Sequence, residues 1–370
     1  MLEKGDFKPK IKTSLSQLIS MIKKFESQFN GTKKMSEKHF IDPKILTPYL
    51  KEKISDFDGP LEIEEFIGGQ SNPTYFLKTK NKSYVLRRKP PGVLLKSAHA
   101  VDREFKVISA LNKTDLPVPK AYIHCADESL IGTEFFVMEY IDGTVIWESH
   151  IPHGTKEDRY EIYSSMNETI ANLHSINPKE IGLEDFGRPG NYVARQLSIW
   201  TKQYRDSETA EISSMNNLID WLPENLPSEK PIRLVHGDFS LTNVIVNPET
   251  NKISSILDWE LSTLGDPIAD FSYHCLQYFI NPVLGDVNQC NELNIPNLEA
   301  YRDMYMENSE FEISESEWNT YMGFSMFKLA AIAQGITGRV RDGTAAGKDA
   351  DKFFEQTVSL ADLGWLFVQK

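Results

Sequence analysis

Apolar positions along the chain repeat with two different periods, and the change of period divides it. Ile11, Leu15, Leu18, Ile22 and Phe25 recur at close to helical spacing, which predicts an amphipathic helix over 11–29. Gly31 to Lys34 reads as a link, and Asp42-Pro43 opens a short helix through Leu50. From Leu61 the period drops to two. L-E-I-E-E-F-I, then T-Y-F-L-K-T, a polar turn at Lys80 to Lys82, and S-Y-V-L-R predict successive strands. Val101, Phe105, Ile108 and Leu111 return to helical spacing within Ala98 to Leu111. A-Y-I-H-C and E-F-F-V-M-E-Y add two strands before a break at Gly143. Beyond it the pattern is mainly helical, with a stripe at Ile162, Met166, Ile170 and Leu173 and further helices over Asn191 to Tyr204, 318–340 and 351–368. One stretch departs from this. Leu234 to Glu260 holds two apolar runs that end in acidic residues, with a polar loop between them.

The chain of 370 residues exceeds the usual size of a single core, so two lobes are expected. The pattern predicts an α+β protein: an N-terminal extension over 1–40, a strand-rich lobe over 41–141 and a mainly helical lobe over 142–370. Hydrophobic residues at 40% and charged residues at 25% are ordinary for a soluble globular protein. A net charge of -13 speaks against a general nucleic-acid binder, and no apolar run is long enough for a membrane span. Cys125, Cys275 and Cys290 are odd in number and lack zinc or redox spacing, which predicts a reduced, cytoplasmic setting. The first 34 residues carry eight Lys against three acids. They lack Arg and include Glu3, Asp6 and Glu26, so they read as an extension rather than a transit peptide.

Chemistry concentrates in the exceptional stretch. Its loop carries Asp238 and, five positions on, Asn243, and the second apolar run delivers Asp258. Phosphoryl transfer needs one carboxylate to accept the proton of an attacking hydroxyl, and an amide oxygen and a second carboxylate for Mg²⁺. Mg²⁺ takes oxygen ligands and few protein groups, so Asn243 and Asp258 are the expected metal ligands and Asp238 the expected base.

His236-Gly237-Asp238 with Asn243, followed by Asp258-Trp259-Glu260 and by Gly265-Asp266-Pro267 to Phe271, resembles the aminoglycoside phosphotransferase and choline kinase families. The resemblance implies a two-lobed protein kinase-like α+β fold, with an antiparallel sheet and one helix in the small lobe. It implies that Gly68, Gly69, Gln70, Ser71 and Asn72 form a loop over the nucleotide phosphates. Val85 then faces the base and Arg87, in place of the commoner Lys, grips phosphate. Glu104 pairs with Arg87, and Glu139, Tyr140 and Ile141 supply hinge contacts. Those hinge contacts are made by main chain, so ATP and GTP both remain open. No activation-loop signature follows Asp258, which favours a small-molecule hydroxyl acceptor over a protein.

The acceptor is read from weaker signals. Acidity of the whole chain suits a cationic acceptor, whereas Arg188, Arg195, Lys202 and Arg205, with Arg339 and Arg341, suit an anionic one. Asp238, Glu260, Arg195 and Arg339 are the candidate substrate residues. G-G-Q-S-N-P-T-Y, V-L-R-R-K-P-P-G, D-R-E-F, D-F-G-R-P-G-N-Y-V-A-R-Q and A-A-I-A-Q-G-I-T-G-R together resemble a branch of the family found alone or joined to acyl-CoA dehydrogenases. That company implies a hydroxyacyl-CoA or related hydroxy acid as acceptor, and functional association with enzymes of acyl-CoA metabolism. An aminoglycoside or choline-type kinase is the rival within enzymes, and a nucleotide-binding scaffold for an acyl-CoA enzyme the rival outside them.

Overall fold

The computed structural model describes residues 31–67, 72–91, 100–188, 190–343 and 350–370. The expected helix over 11–29 and Gly68, Gly69, Gln70 and Ser71 lie outside the described residues. In chain order the elements begin β1 (Thr32–Lys33), α1 (Pro43–Lys53), β2 (Glu62–Phe66), β3 (Thr74–Lys78), β4 (Ser83–Arg88), α2 (Val101–Leu111), β5 (Ala121–Cys125) and β6 (Phe135–Glu139). They continue α3 (Lys156–Ser175), α4 (Tyr192–Ser207), α5 (Ser213–Trp221), β7 (Arg233–Val235), β8 (Val244–Val246), β9 (Ile253–Ile256) and β10 (Thr263–Gly265). The chain closes with α6 (Pro267–His274), α7 (Gln277–Ile280), α8 (Val287–Leu293), α9 (Leu298–Asn308), α10 (Glu315–Arg341) and α11 (Ala350–Val368). Two units result. The first runs to Glu148 and takes back 244–250 and 254–260; the second holds Ser149–Asn243, 251–253 and Leu261–Lys370.

In the first unit the alternating segments form a six-stranded antiparallel sheet, ordered β1-β2-β3-β4-β6-β5. Register places Tyr75 opposite Leu86, Leu77 opposite Tyr84, and Leu86 opposite Val137. One face therefore carries Tyr75, Leu77, Tyr84, Leu86 and Val137, and these share a buried core with Leu46 and Leu50 of α1. Each such side chain contributes roughly 1.5–3 kcal/mol by burial. Asp42 accepts from the Lys44 N–H at 2.9 Å and Pro43 takes the first turn, so α1 starts where the sequence signals it. Val85 and Arg87 point to the opposite face, in register with Phe76, Met138 and Phe136. Helix α2 packs on β5 and β6. Strand β4 is consequently buried from Tyr84 to Arg88, on both faces.

The second unit is mainly helical. Thr155 and Asp158 cap α3 reciprocally, and Ser314 with Glu317 does the same for α10. Helix α10 runs for 27 residues, and its middle, from Trp318 to Phe327, is buried all round because α4, α6 and α11 pack against it. The crossing of α10 and α11 is close: a Cβ on Gly323 would stand 2.4 Å from Cγ1 of Val368 and 3.2 Å from the Gly364 carbonyl. Strand β7 pairs with β10, while β8 pairs with β9, so the two runs that flank the Asp238 loop join different partners. Among the described residues no helix is long and apolar enough to cross a membrane. All three cysteines are free and buried.

Candidate active site

In the first unit, one guanidinium gathers three carboxylates. Arg87, whose side chain is 10% exposed, meets Glu104 at 3.1 Å, Asp258 at 2.8 Å and Glu260 at 3.5 Å. The bond to Glu104 joins the far ends of an alternating strand and a helical stripe, since β4 turns Arg87 toward the face where Glu104 of α2 is buried. Burial drives the Glu104 carboxyl up to about 7; Arg87 opposes this, and Asp258 and Glu260 add to it. Desolvation works against the Arg87 charge, but its three carboxylates hold its pKa above the ordinary arginine value. Asn72, 1% exposed, donates to Glu260 at 3.4 Å. Glu260, expected at the acceptor, thus faces Arg87 and Asn72. Asp258 adopts a left-handed backbone at φ 60°, a conformation uncommon outside Gly and Asn and costly enough to need support from its surroundings.

The expected hinge residues begin with Glu139, the last residue of β6. The Glu139 N–H donates to the Lys120 carbonyl at 2.8 Å, and its carboxylate accepts from the Lys120 N–H at 3.2 Å. The Tyr140 ring meets Phe76 edge-on at 4.9 Å, and Ile141 next to it is half-buried.

The loop of Asp238 and Asn243 lies in the second unit. Asp238 is exposed, and Asn243 donates to its carboxylate at 3.0 Å and to its backbone carbonyl at 2.8 Å. Beneath the loop, Asp270 of α6 accepts the N–H groups of His236 at 2.9 Å and Gly237 at 2.8 Å, and His174 at 3.2 Å. Burial alone would raise the Asp270 carboxyl, but these donors and the nearby imidazoles hold it below the usual range. The Asp238 N–H bonds Nδ1 of His236 at 3.2 Å. His274 bonds the Phe239 carbonyl at 2.8 Å and the Tyr301 hydroxyl at 3.0 Å, and burial pushes its pKa down to about 4. A neutral imidazole therefore donates to Phe239. Gly237 has φ 86°, and a Cβ there would meet the Leu261 carbonyl oxygen at 2.8 Å, so only glycine fits the turn before Asp238. Asp266 caps α6 through the N–H groups of Ile268 and Ala269 and accepts from Tyr321 at 2.8 Å.

The candidate acceptor residues are less concentrated. Arg195 donates to the Arg188 carbonyl at 2.8 Å, and Arg339 is exposed in the last turn of α10. A lysine outside the motifs stands against α6, the helix that also carries Asp270. Lys328 of α10 places its ammonium 3.8 Å from the centre of the Tyr273 ring and 6.0 Å from that of Trp200. Burial lowers its pKa, and the carboxylates of Asp270 and Asp238 oppose the shift. Burial, with the charge of Asp238, also raises the Tyr273 hydroxyl. The signal in the sequence is the lone charge within F-S-M-F-K-L-A-A-I-A, a run otherwise suited to complete burial.

Each unit, taken by itself, leaves one side-chain oxygen of the kind that Mg²⁺ takes. One guanidinium among three carboxylates leaves a surplus of negative charge at Asp258, and the second oxygen of Asp258 accepts no hydrogen bond among the described residues. The side-chain oxygen of Asn243 likewise accepts none among them, because its amide nitrogen makes both bonds to Asp238. Hard oxygen donors in small number match a cation that keeps most of its shell for phosphate and water.

Residues 62–305 match the phosphotransferase enzyme family. The chain is 42% identical over 331 residues to acyl-CoA dehydrogenase family member 10 of Mus musculus, covering 88% of this chain and 31% of that protein. It thus spans about a third of that relative's length. A crystal structure of a candidate aminoglycoside phosphotransferase from Ralstonia eutropha JMP134 superposes with a TM-score of 0.81 at 40% identity, over 89% of this chain and 98% of the other. A spectinomycin phosphotransferase in complex with ADP and spectinomycin has a TM-score of 0.57 at 14% identity, over 89% and 99%, a likeness of fold. The two-lobed kinase-like α+β architecture expected from the motifs is the one these structures share.

Proposed function

Because the chain belongs to the phosphotransferase enzyme family, a family of small-molecule kinases, we propose that it moves the γ-phosphoryl group of ATP, with Mg²⁺, to the hydroxyl of a hydroxyacyl-CoA or related hydroxy acid. The observation that carries the reaction is Asp238, exposed and oriented by Asn243 on a loop that Asp270 clamps from below. In this reading Asp238 takes the acceptor's proton as its oxygen bonds to phosphorus and the bond from phosphorus to the departing ADP oxygen breaks. Arg87, held by Glu104, and the segment from Gly68 to Asn72 bind phosphate, while Glu139, Tyr140 and Ile141 receive the base beside Val85. Asp258 and Asn243 are the oxygen donors for Mg²⁺, which when bound neutralises charge on the phosphates. A rigidly held loop suits a reaction in which positioning and electrostatics do most of the work.

The acyl-CoA part of the proposal rests on the relative from Mus musculus and on the resemblance of the motifs, so its support is associational. The test is Mg²⁺-dependent ADP release across pooled hydroxyacyl-CoAs, hydroxy acids, amino alcohols, aminoglycosides and sugars. Turnover confined to the first two pools and lost in Asp238→Asn is expected. Turnover confined to the aminoglycosides or amino alcohols would overturn the acceptor, and normal turnover by Asp238→Asn would overturn the base.

A further inference from the structure

Lys328 is a half-buried ammonium on a helix otherwise built for the core. An ammonium has three donors and no acceptor, so an anionic oxygen is its natural partner. Among the described residues Lys328 makes no ion pair and no hydrogen bond; the rings of Tyr273 and Trp200 are the partners its charge has. Asp270 is committed to His236, Gly237 and His174, and Asp238 is bonded by Asn243. Both carboxylates act on Lys328 only through the field. Tyr273, the ring beneath the ammonium, stands on α6 between Asp270 and His274, and both of these bond the loop that carries the base, so ring and ammonium lie beside that loop. Arg339 lies eleven residues further along α10, about 16 Å away on the helix axis, and Arg195 is held by Arg188.

We propose that Lys328, seated on Tyr273 and flanked by Trp200, forms a subsite that binds an anionic oxygen of the acceptor and rejects cationic acceptors. This rests on the phosphotransferase reading and deepens it. The aromatic face that could hold a quaternary or primary ammonium is already occupied by the protein's own cation. A positively charged acceptor meets like charge there, while a carboxylate or phosphate accepts charge-assisted hydrogen bonds from its donors. The same cation sets the specificity twice, by attracting an anion and by repelling another cation.

Binding to the full chain, measured by calorimetry, tests the subsite without requiring turnover. The probes are 3-hydroxybutyrate and 3-hydroxybutyryl-CoA as anions, 1,3-butanediol as the neutral counterpart, choline as the cation, and ATP with Mg²⁺ separately. At least one anionic probe should bind ten-fold or more tightly than the diol and choline. Lys328→Met should erase that preference, and Lys328→Arg should keep most of it, with Tm confirming that each variant folds. ATP affinity should stay within two-fold in both variants. Absence of any anionic preference in the wild type, or its survival in folded Lys328→Met, overturns the subsite. So does an effect that falls on ATP instead, which would make Lys328 a nucleotide-phosphate ligand. Anion binding that needs Lys328, together with failure of every acceptor to release ADP, would keep the subsite and overturn the phosphotransferase reading.

Discussion

Replacing Asp270 by Asn tests whether the catalytic loop is held from beneath by a buried charge. Its carboxylate accepts three hydrogen bonds, from the N–H groups of His236 at 2.9 Å and Gly237 at 2.8 Å and from His174 at 3.2 Å. The first and third arrive at one oxygen and the second at the other, so an amide, with a single oxygen, must turn its NH₂ toward a donor. Backbone N–H groups cannot reverse their role. One stranded buried donor costs about 1–3 kcal/mol, and losing the charge beside His174 brings the total to about 3–5 kcal/mol. Asp266→Asn is the control. There the cap of α6 uses one oxygen, and the other faces the Tyr321 hydroxyl, which can rotate from donor to acceptor. Its cost should be about 1 kcal/mol. Urea unfolding at neutral pH, read as the midpoint at constant slope, measures both. The Asp270 carboxyl lies below its usual range in the folded chain, so the stability it contributes is present above about pH 4, where the unfolded group is also ionised. That stability is lost as the pH falls further, through the folded value. The gap between wild type and Asp270→Asn should therefore narrow below about pH 4. A loss under about 1 kcal/mol at neutral pH, or equal losses in the two variants, would refute the clamp.

Gly237→Ala forces a Cβ to 2.8 Å from the Leu261 carbonyl at a left-handed φ of 86°. It should lower stability by about 2–4 kcal/mol in the same unfolding measurement. Asp258→Asn should weaken Mg²⁺-ATP binding by roughly ten-fold or more while leaving metal-free nucleotide binding nearly unchanged, as read by calorimetry with and without Mg²⁺. His274, neutral with a pKa near 4 because it is buried, contributes stability that is complete above about 6.5 and lost as pH falls from there to 4. The wild type should lose up to about 3 kcal/mol across that window by this route. His274→Gln should show a flatter acid limb in Tm against pH.

The loop of Asp238 and Asn243, and Asp258 at the end of the next run, were legible because their chemistry depends on spacing within one short stretch. The strand that carries Arg87 and the stripe beside Glu104 were legible for a similar reason: alternation and helical period fix which face a side chain takes. The cooperation of Asp270 with His236 and Gly237 could not be read in this way. An acid after a turn looks the same whether it caps a helix, as Asp266 does, or reaches back to a distant backbone. Arg195 looked available in the sequence but is held by the Arg188 carbonyl. Lys328 belongs to no motif, yet it stands on Tyr273 within the field of Asp238. The sequence alone determined the types and order of most elements and which residues are proposed to react, since both follow from near neighbours along the chain. Tertiary structure decided which carboxylate clamps the loop and which rings Lys328 stands on. Those outcomes depend on how helices pack and on which partners they bring within a few ångströms, and no local period encodes that.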